Sequence, residues 1–154
     1  MRYRRYARQF LLTLAAAAVL GAPAHLAAQA ATVTVTDPWM RFPLPAAKNT
    51  AVFLVLENHS AAARQLVSAS TPVAGKTELH TMSMEGGMMR MSPVKSVSIP
   101  ANGNAELKPG SLHIMLFDLK EHPAEGTTIP LTLTLDNGEK LDVRATVRKP
   151  EGMR

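Results

Sequence analysis

No stretch of this chain sustains a 3.6-residue apolar period over three turns, which argues against a helical core. What recurs is the short β-branched or apolar run bounded by turn residues. Thr32 to Thr36 alternates threonine with valine, and Asp37-Pro38 is expected to end that strand. A proline-rich loop with Pro43 and Pro45 follows. Thr50 to Glu57 reads as a buried strand, closed by Asn58-His59-Ser60. Leu66 to Ser70, Thr77 to Met84, Met88 to Ile99 (punctuated by Pro93), Ala105 to Lys108 and Leu112 to Leu119 supply further strands. Thr128 to Leu135 and Lys140 to Val147 flank Asp136-Asn137-Gly138, and Asn-Gly is a strong signal for a tight hairpin. Ala61 to Arg64 makes at most one helical turn. The sequence predicts one all-β domain, a sandwich or barrel of seven to nine strands.

The N-terminus differs in kind. Arg2, Arg4, Arg5 and Arg8 precede an apolar run from Phe10 to about Ala24, and Ala28-Gln29-Ala30 follows. This is the order of a secretory signal peptide over residues 1–30, with cleavage after Ala30 and a mature domain over residues 31–154. The apolar run is short for a membrane span, so no membrane insertion is expected after cleavage. The leader holds four of the 17 basic residues and none of the 12 acidic ones, leaving 13 against 12 and a net charge of +1. Nucleic-acid binding, which needs a basic footprint on the folded domain, loses its support.

An exported chain without cysteine has neither a disulfide nor a thiolate metal site, thiol nucleophile or redox dithiol. It does have nine methionines, and five of them fall between Met82 and Met91 around the polar turn Glu85-Gly86-Gly87. Methionine is ordinarily core filler, but a core is not expected at a loop tip. If Gly86-Gly87 is a two-residue turn, Glu85 pairs with Met88, Met84 with Met89, Met82 with Met91 and His80 with Pro93. Period two then places His80, Met82, Met84, Met89 and Met91 on one face.

A second cluster is Leu112-His113-Ile114-Met115-Leu116-Phe117. Leu112, Ile114 and Leu116 share one face, the expected core side, and His113 and Met115 share the other. Taken alone, this strand reads equally as one with both faces partly covered, His113 hydrogen-bonded and Met115 packed. Together the clusters offer two imidazoles and several thioethers. Thioether sulfur is soft and selects Cu(I), while imidazole accepts copper among other metals. Zinc favours Cys, His or carboxylate, and calcium and magnesium need oxygen. Blue-copper electron transfer needs a Cys thiolate. Nothing reads as catalytic: no Ser-His-Asp candidate beyond scattered residues, no paired carboxylates and no Gly-rich phosphate loop next to a helix.

His80, ten residues, Met91, twenty-one residues, His113, one residue, Met115: this spacing resembles the ligand motif of the PCuAC family of periplasmic copper chaperones. Asp37-Pro38-Trp39 with Arg41, Leu79-His80-Thr81-Met82, Gly86 to Met91, and Glu106-Leu107-Lys108-Pro109-Gly110 are similar to landmarks of the same family. The resemblance implies a cupredoxin-like Greek-key β-barrel. It further implies a non-enzymatic, monomeric periplasmic protein binding one Cu(I) through His80, Met91, His113 and Met115. The implied partners are the copper-bearing subunit of cytochrome c oxidase, whose Cu(A) centre it would supply, and a Sco-type copper/thiol protein. Some relatives carry a His- and Met-rich tail that binds extra copper; the tail here, Lys149 to Arg154, offers only Met153.

Met82 is the best spare ligand. Met84, Met88 and Met89 are expected to form an apolar collar that limits water access, and Trp39 to plug the core. His59 and His122 sit in turns as solvated histidines. Two rival functions remain open: a copper buffer or resistance protein, and a structural or adhesive β-sandwich whose methionines only pack.

Overall fold

The structure, a computed structural model, describes residues 32–149. The expected signal peptide and the last five residues of the tail lie outside the described residues. Ten strands follow one another: β1 (Val33–Arg41), β2 (Thr50–Asn58), β3 (Arg64–Ser70), β4 (Ala74–Glu85), β5 (Met88–Pro93), β6 (Val97–Ile99), β7 (Asn104–Leu107), β8 (His113–Leu119), β9 (Thr128–Leu135) and β10 (Lys140–Arg148). The tenth arises where the run Met88 to Ile99 divides after Pro93, a residue with no N–H to continue a ladder. No helix occurs among the described residues; Ser60 to Ala62 only bend.

The strands run in the order β5-β4-β8-β2-β1-β10-β9-β3-β6, with β7 also on β2, and the path is open at β5 and β6. The pairings are antiparallel except β1 with β10. Inward-facing residues of every strand but β5 share one core. They include Val52, Leu54 and Leu56 of β2, Ile114 and Leu116 of β8, and Ile129, Leu131, Leu133 and Leu135 of β9. Each such burial removes apolar surface from water and contributes about 1.5–3 kcal/mol.

Asp37-Pro38 does not end the first strand. Thr36 pairs with Val55 and Trp39 with Phe53, so β1 spends one residue more than β2 on the same interval. This is a β-bulge, and Asp37 takes the positive φ of 45° that an aspartate tolerates. The extra residue inverts the alternation. Val33 and Val35 face the core before the bulge, and Met40 faces it after. Trp39 is thereby turned to the opposite face, beside Phe53, with ring centroids 4.6 Å apart. The expectation that Trp39 plugs the core is corrected for this reason.

Candidate metal centre

The site face is the outer face of the β5-β4-β8-β2-β1 half of the sheet. Register fixes which side chains meet there. His80 of β4 stands directly opposite His113 of β8, and Glu78 opposite Met115. Met115 in turn pairs with Ala51 of β2. The β4–β5 hairpin has the register the two-residue turn requires: Glu85 with Met88, Met84 with Met89, Met82 with Met91, and His80 with Pro93. Gly86 and Gly87 both take positive φ, 57° and 78°, the signature of the type I′ turn that matches strand twist.

An aromatic row crosses this face. Trp39 meets Phe53, Phe53 lies 6.3 Å from His113, His113 6.0 Å from His80, and His80 5.8 Å from Phe117. The proline-rich segment after β1 stands beside Phe53 and His113 of this row. The result is an apolar cleft of about 340 Å³, whose walls include Pro43, Leu44, Phe53, Met82, Met91, His113 and Met115. Three of the four sequence-predicted ligands therefore line one cleft, together with Met82. His80 is outside that lining and joins the group through its pairing with His113.

Both imidazoles are buried, His80 at 7% exposure and His113 at 2%. In each, one nitrogen is engaged and the other is not. His80 Nε2 donates to Glu78 Oε2 at 2.9 Å, and His113 Nδ1 donates to the Ser111 carbonyl at 2.8 Å. That leaves His80 Nδ1 and His113 Nε2 buried without a hydrogen-bond partner. Buried polar atoms are nearly always partnered, so two orphaned acceptors on adjacent rings mark a site made for something else. A histidine whose second nitrogen is fixed by a carboxylate or a carbonyl is the usual arrangement of a metal ligand.

Electrostatics agree. Burial holds the His113 imidazole below its ordinary value, against the raising effect of the Ser111 carbonyl and with His80 and Arg41 adding to the depression. The ring stays neutral at neutral pH and keeps its lone pair. Glu78 is held below the usual carboxylate range first by its bond to His80, then by Lys76, whose Nζ lies 2.6 Å away. Arg41, at the cleft, lies over the Phe53 ring at 5.4 Å, and its Nε is buried without a partner.

The remaining expectations divide. Met84, Met88 and Met89 do not form a water-excluding collar; they are 65%, 61% and 56% exposed at the hairpin tip. A two-stranded hairpin that projects from a sheet edge has no neighbour to cover its end. His59 is exposed and bonds Thr34 Oγ1 at 2.8 Å, and His122 is exposed. Glu78 and Ser111 escaped the sequence reading. The spacing Glu78-x-His80 was a visible signal for the first; a backbone carbonyl leaves none.

The model of the family described as "Putative lipoprotein LpqE-like" matches residues 33–147. Protein Lxx21020 of Leifsonia xyli subsp. xyli is 30% identical over 140 residues, covering 86% of this chain and 83% of its own. Protein RP573 of Rickettsia prowazekii is 32% identical over 121 residues, 76% of this chain and 67% of its own. Among solved structures, Cu(I)-DR1885 of Deinococcus radiodurans is 37% identical with a TM-score of 0.66, over 80% of this chain and 83% of that one. The copper-bound PCuAC domain from PmoF2, 17% identical, shares the fold with a TM-score of 0.67 over 78% and 95%. The chain thus belongs to the LpqE-like family and has the cupredoxin-like all-β fold of the PCuAC domains.

Proposed function

We propose that this protein is a periplasmic Cu(I) chaperone that carries one ion on His80, Met91, His113 and Met115 and delivers it to the Cu(A) centre of cytochrome c oxidase. The observation that carries the reading is the pair of orphaned ring nitrogens, His80 Nδ1 and His113 Nε2, on neighbouring buried rings, the second of which lines the cleft with the thioethers. Among the described residues no three His, Cys, Asp or Glu side chains converge, so a harder metal finds no complete shell. Two imidazoles completed by thioethers suit monovalent copper. The kinship with DR1885, solved with Cu(I), supports the same cargo.

Four neutral donors hold the ion without a compensating anion. Thioethers need no deprotonation, so the ion can leave by stepwise exchange as a partner's soft donors replace them. The purely structural reading is disfavoured by Met91, which is 48% exposed and contributes little packing.

Copper-edge X-ray absorption on the chain loaded anaerobically with Cu(I), with His80→Ala, Met91→Ala, His113→Ala and Met115→Ala, tests the ligands. A mixed nitrogen and sulfur shell that degrades with each substitution is expected; a shell without sulfur overturns the assignment. For delivery, deletion should lower oxidase activity and added copper should partly restore it. Normal oxidase activity with heightened copper sensitivity would make the protein a buffer instead.

A further inference from the structure

Among the described residues, four of the six exposed large hydrophobic side chains belong to one hairpin: Met84, Met88, Met89 and Met91. The register sorts the hairpin's methionines by face. Met82 and Met91 form one cross-strand rung and Met84 and Met89 the next, both on the site face. Met88 opposes Glu85 on the reverse face, where Glu85 also meets Arg90. The inner rung lines the cleft and the outer rung stands in solvent. Side chains opposite one another in such a pair have Cβ atoms about 5 Å apart, and successive rungs on one face are separated by about 7 Å. Both spans suit the long, freely rotating methionine side chain.

We propose that Met84 and Met89 form a second, weaker soft-metal site, a two-sulfur perch on which Cu(I) first lands before passing to Met82 and Met91. The perch rests on the Cu(I) reading of the cleft for its role in loading, but not for its existence. Sulfur on both arms selects a monovalent soft cation. Two exposed thioethers hold it less firmly than two buried imidazoles and two thioethers together, so the gradient runs inward. Each transfer makes one copper–sulfur bond as another breaks. The metal stays Cu(I) throughout, and no proton moves, because a thioether carries none.

Met84→Leu/Met89→Leu provides the test, with Met88→Leu as its control. Leucine preserves the apolar area and removes only the sulfur. Titration of the full chain with Cu(I) under a competing chelator should find two equivalents, one tight and one weak. The double variant should lose the weak equivalent, keep the tight one, and load the tight site more slowly; Met88→Leu should match the parent. In His80→Ala/His113→Ala, X-ray absorption of the bound copper should report sulfur alone. A parent chain with one equivalent, or a double variant that loads like the parent, would overturn the perch. A weak equivalent that survives while no tight one exists would overturn the chaperone site and leave the perch standing.

Discussion

Met91→Ala separates a ligand from a packing residue. Complete burial of a methionine side chain contributes about 1.5–3 kcal/mol. Met91 is 48% exposed and sits on β5, which adds nothing to the core. Roughly half of that burial is at stake, so the apo protein should lose only about 1 kcal/mol. Leu131→Ala supplies the benchmark: at 1% exposure in the core, its loss should reach about 2–5 kcal/mol. Cu(I) affinity should respond in the opposite proportion. Removing a partner of a ligand typically weakens metal binding about 10- to 100-fold, and removing the donor itself should exceed that. Urea denaturation of the apo forms and chelator competition for Cu(I) read the two effects independently. A Met91→Ala protein as destabilised as Leu131→Ala, with unchanged copper affinity, would refute the reasoning and return Met91 to packing.

Further outcomes follow from the same geometry. Glu78→Ala frees His80 Nε2 from its acceptor and should lower Cu(I) affinity about 10- to 100-fold, while Glu78→Gln, which keeps an acceptor oxygen, should lose less; chelator competition checks both. Gly87→Ala meets no steric neighbour within 4 Å, yet its φ of 78° penalises any Cβ; urea denaturation should show a loss of about 1–2 kcal/mol, and misregistered pairing should weaken copper binding. Because burial lowers the His113 value in the folded state, the unfolded chain binds more protons below about pH 6.5, so apo stability should fall as pH drops through that window and be level above it. Urea midpoints at several pH values test this, and a flat profile across the window would contradict it.

The hairpin was legible because a two-residue turn at Gly86-Gly87, once assumed, sets the whole register. Two glycines between two methionine-bearing strands leave an even loop, and period two does the rest. The His113 strand was legible as an alternation, Ile114 and Leu116 inward, His113 outward. What the alternation could not reveal was how thoroughly its outer face is covered, since Phe53 of β2 and His80 of β4 lie against His113 and the segment after β1 shares its cleft. Trp39 was misplaced for a local reason: a bulge at Asp37 inverts parity, and Asp-Pro reads more readily as a strand end than as a strand with one extra residue. The parallel pairing of β1 with β10 joins the two ends of the domain and has no local sequence signal at all.

The position of β5 at the open end of the sheet has a further consequence. It hydrogen-bonds to β4 alone, and all six of its residues are exposed. Such a strand opens at low free energy and exchanges its amide hydrogens ahead of the rest. An ion held jointly by Met91 on this strand and by His113 and Met115 on β8 would staple the loosest strand to the interior of the sheet. Amide exchange across Met88–Ser92 then becomes a gauge of occupancy, fast in the empty protein and slow in the loaded one. Met91 would then be the donor best placed to let go, because β5 can fray without disturbing the pairing of His80 with His113.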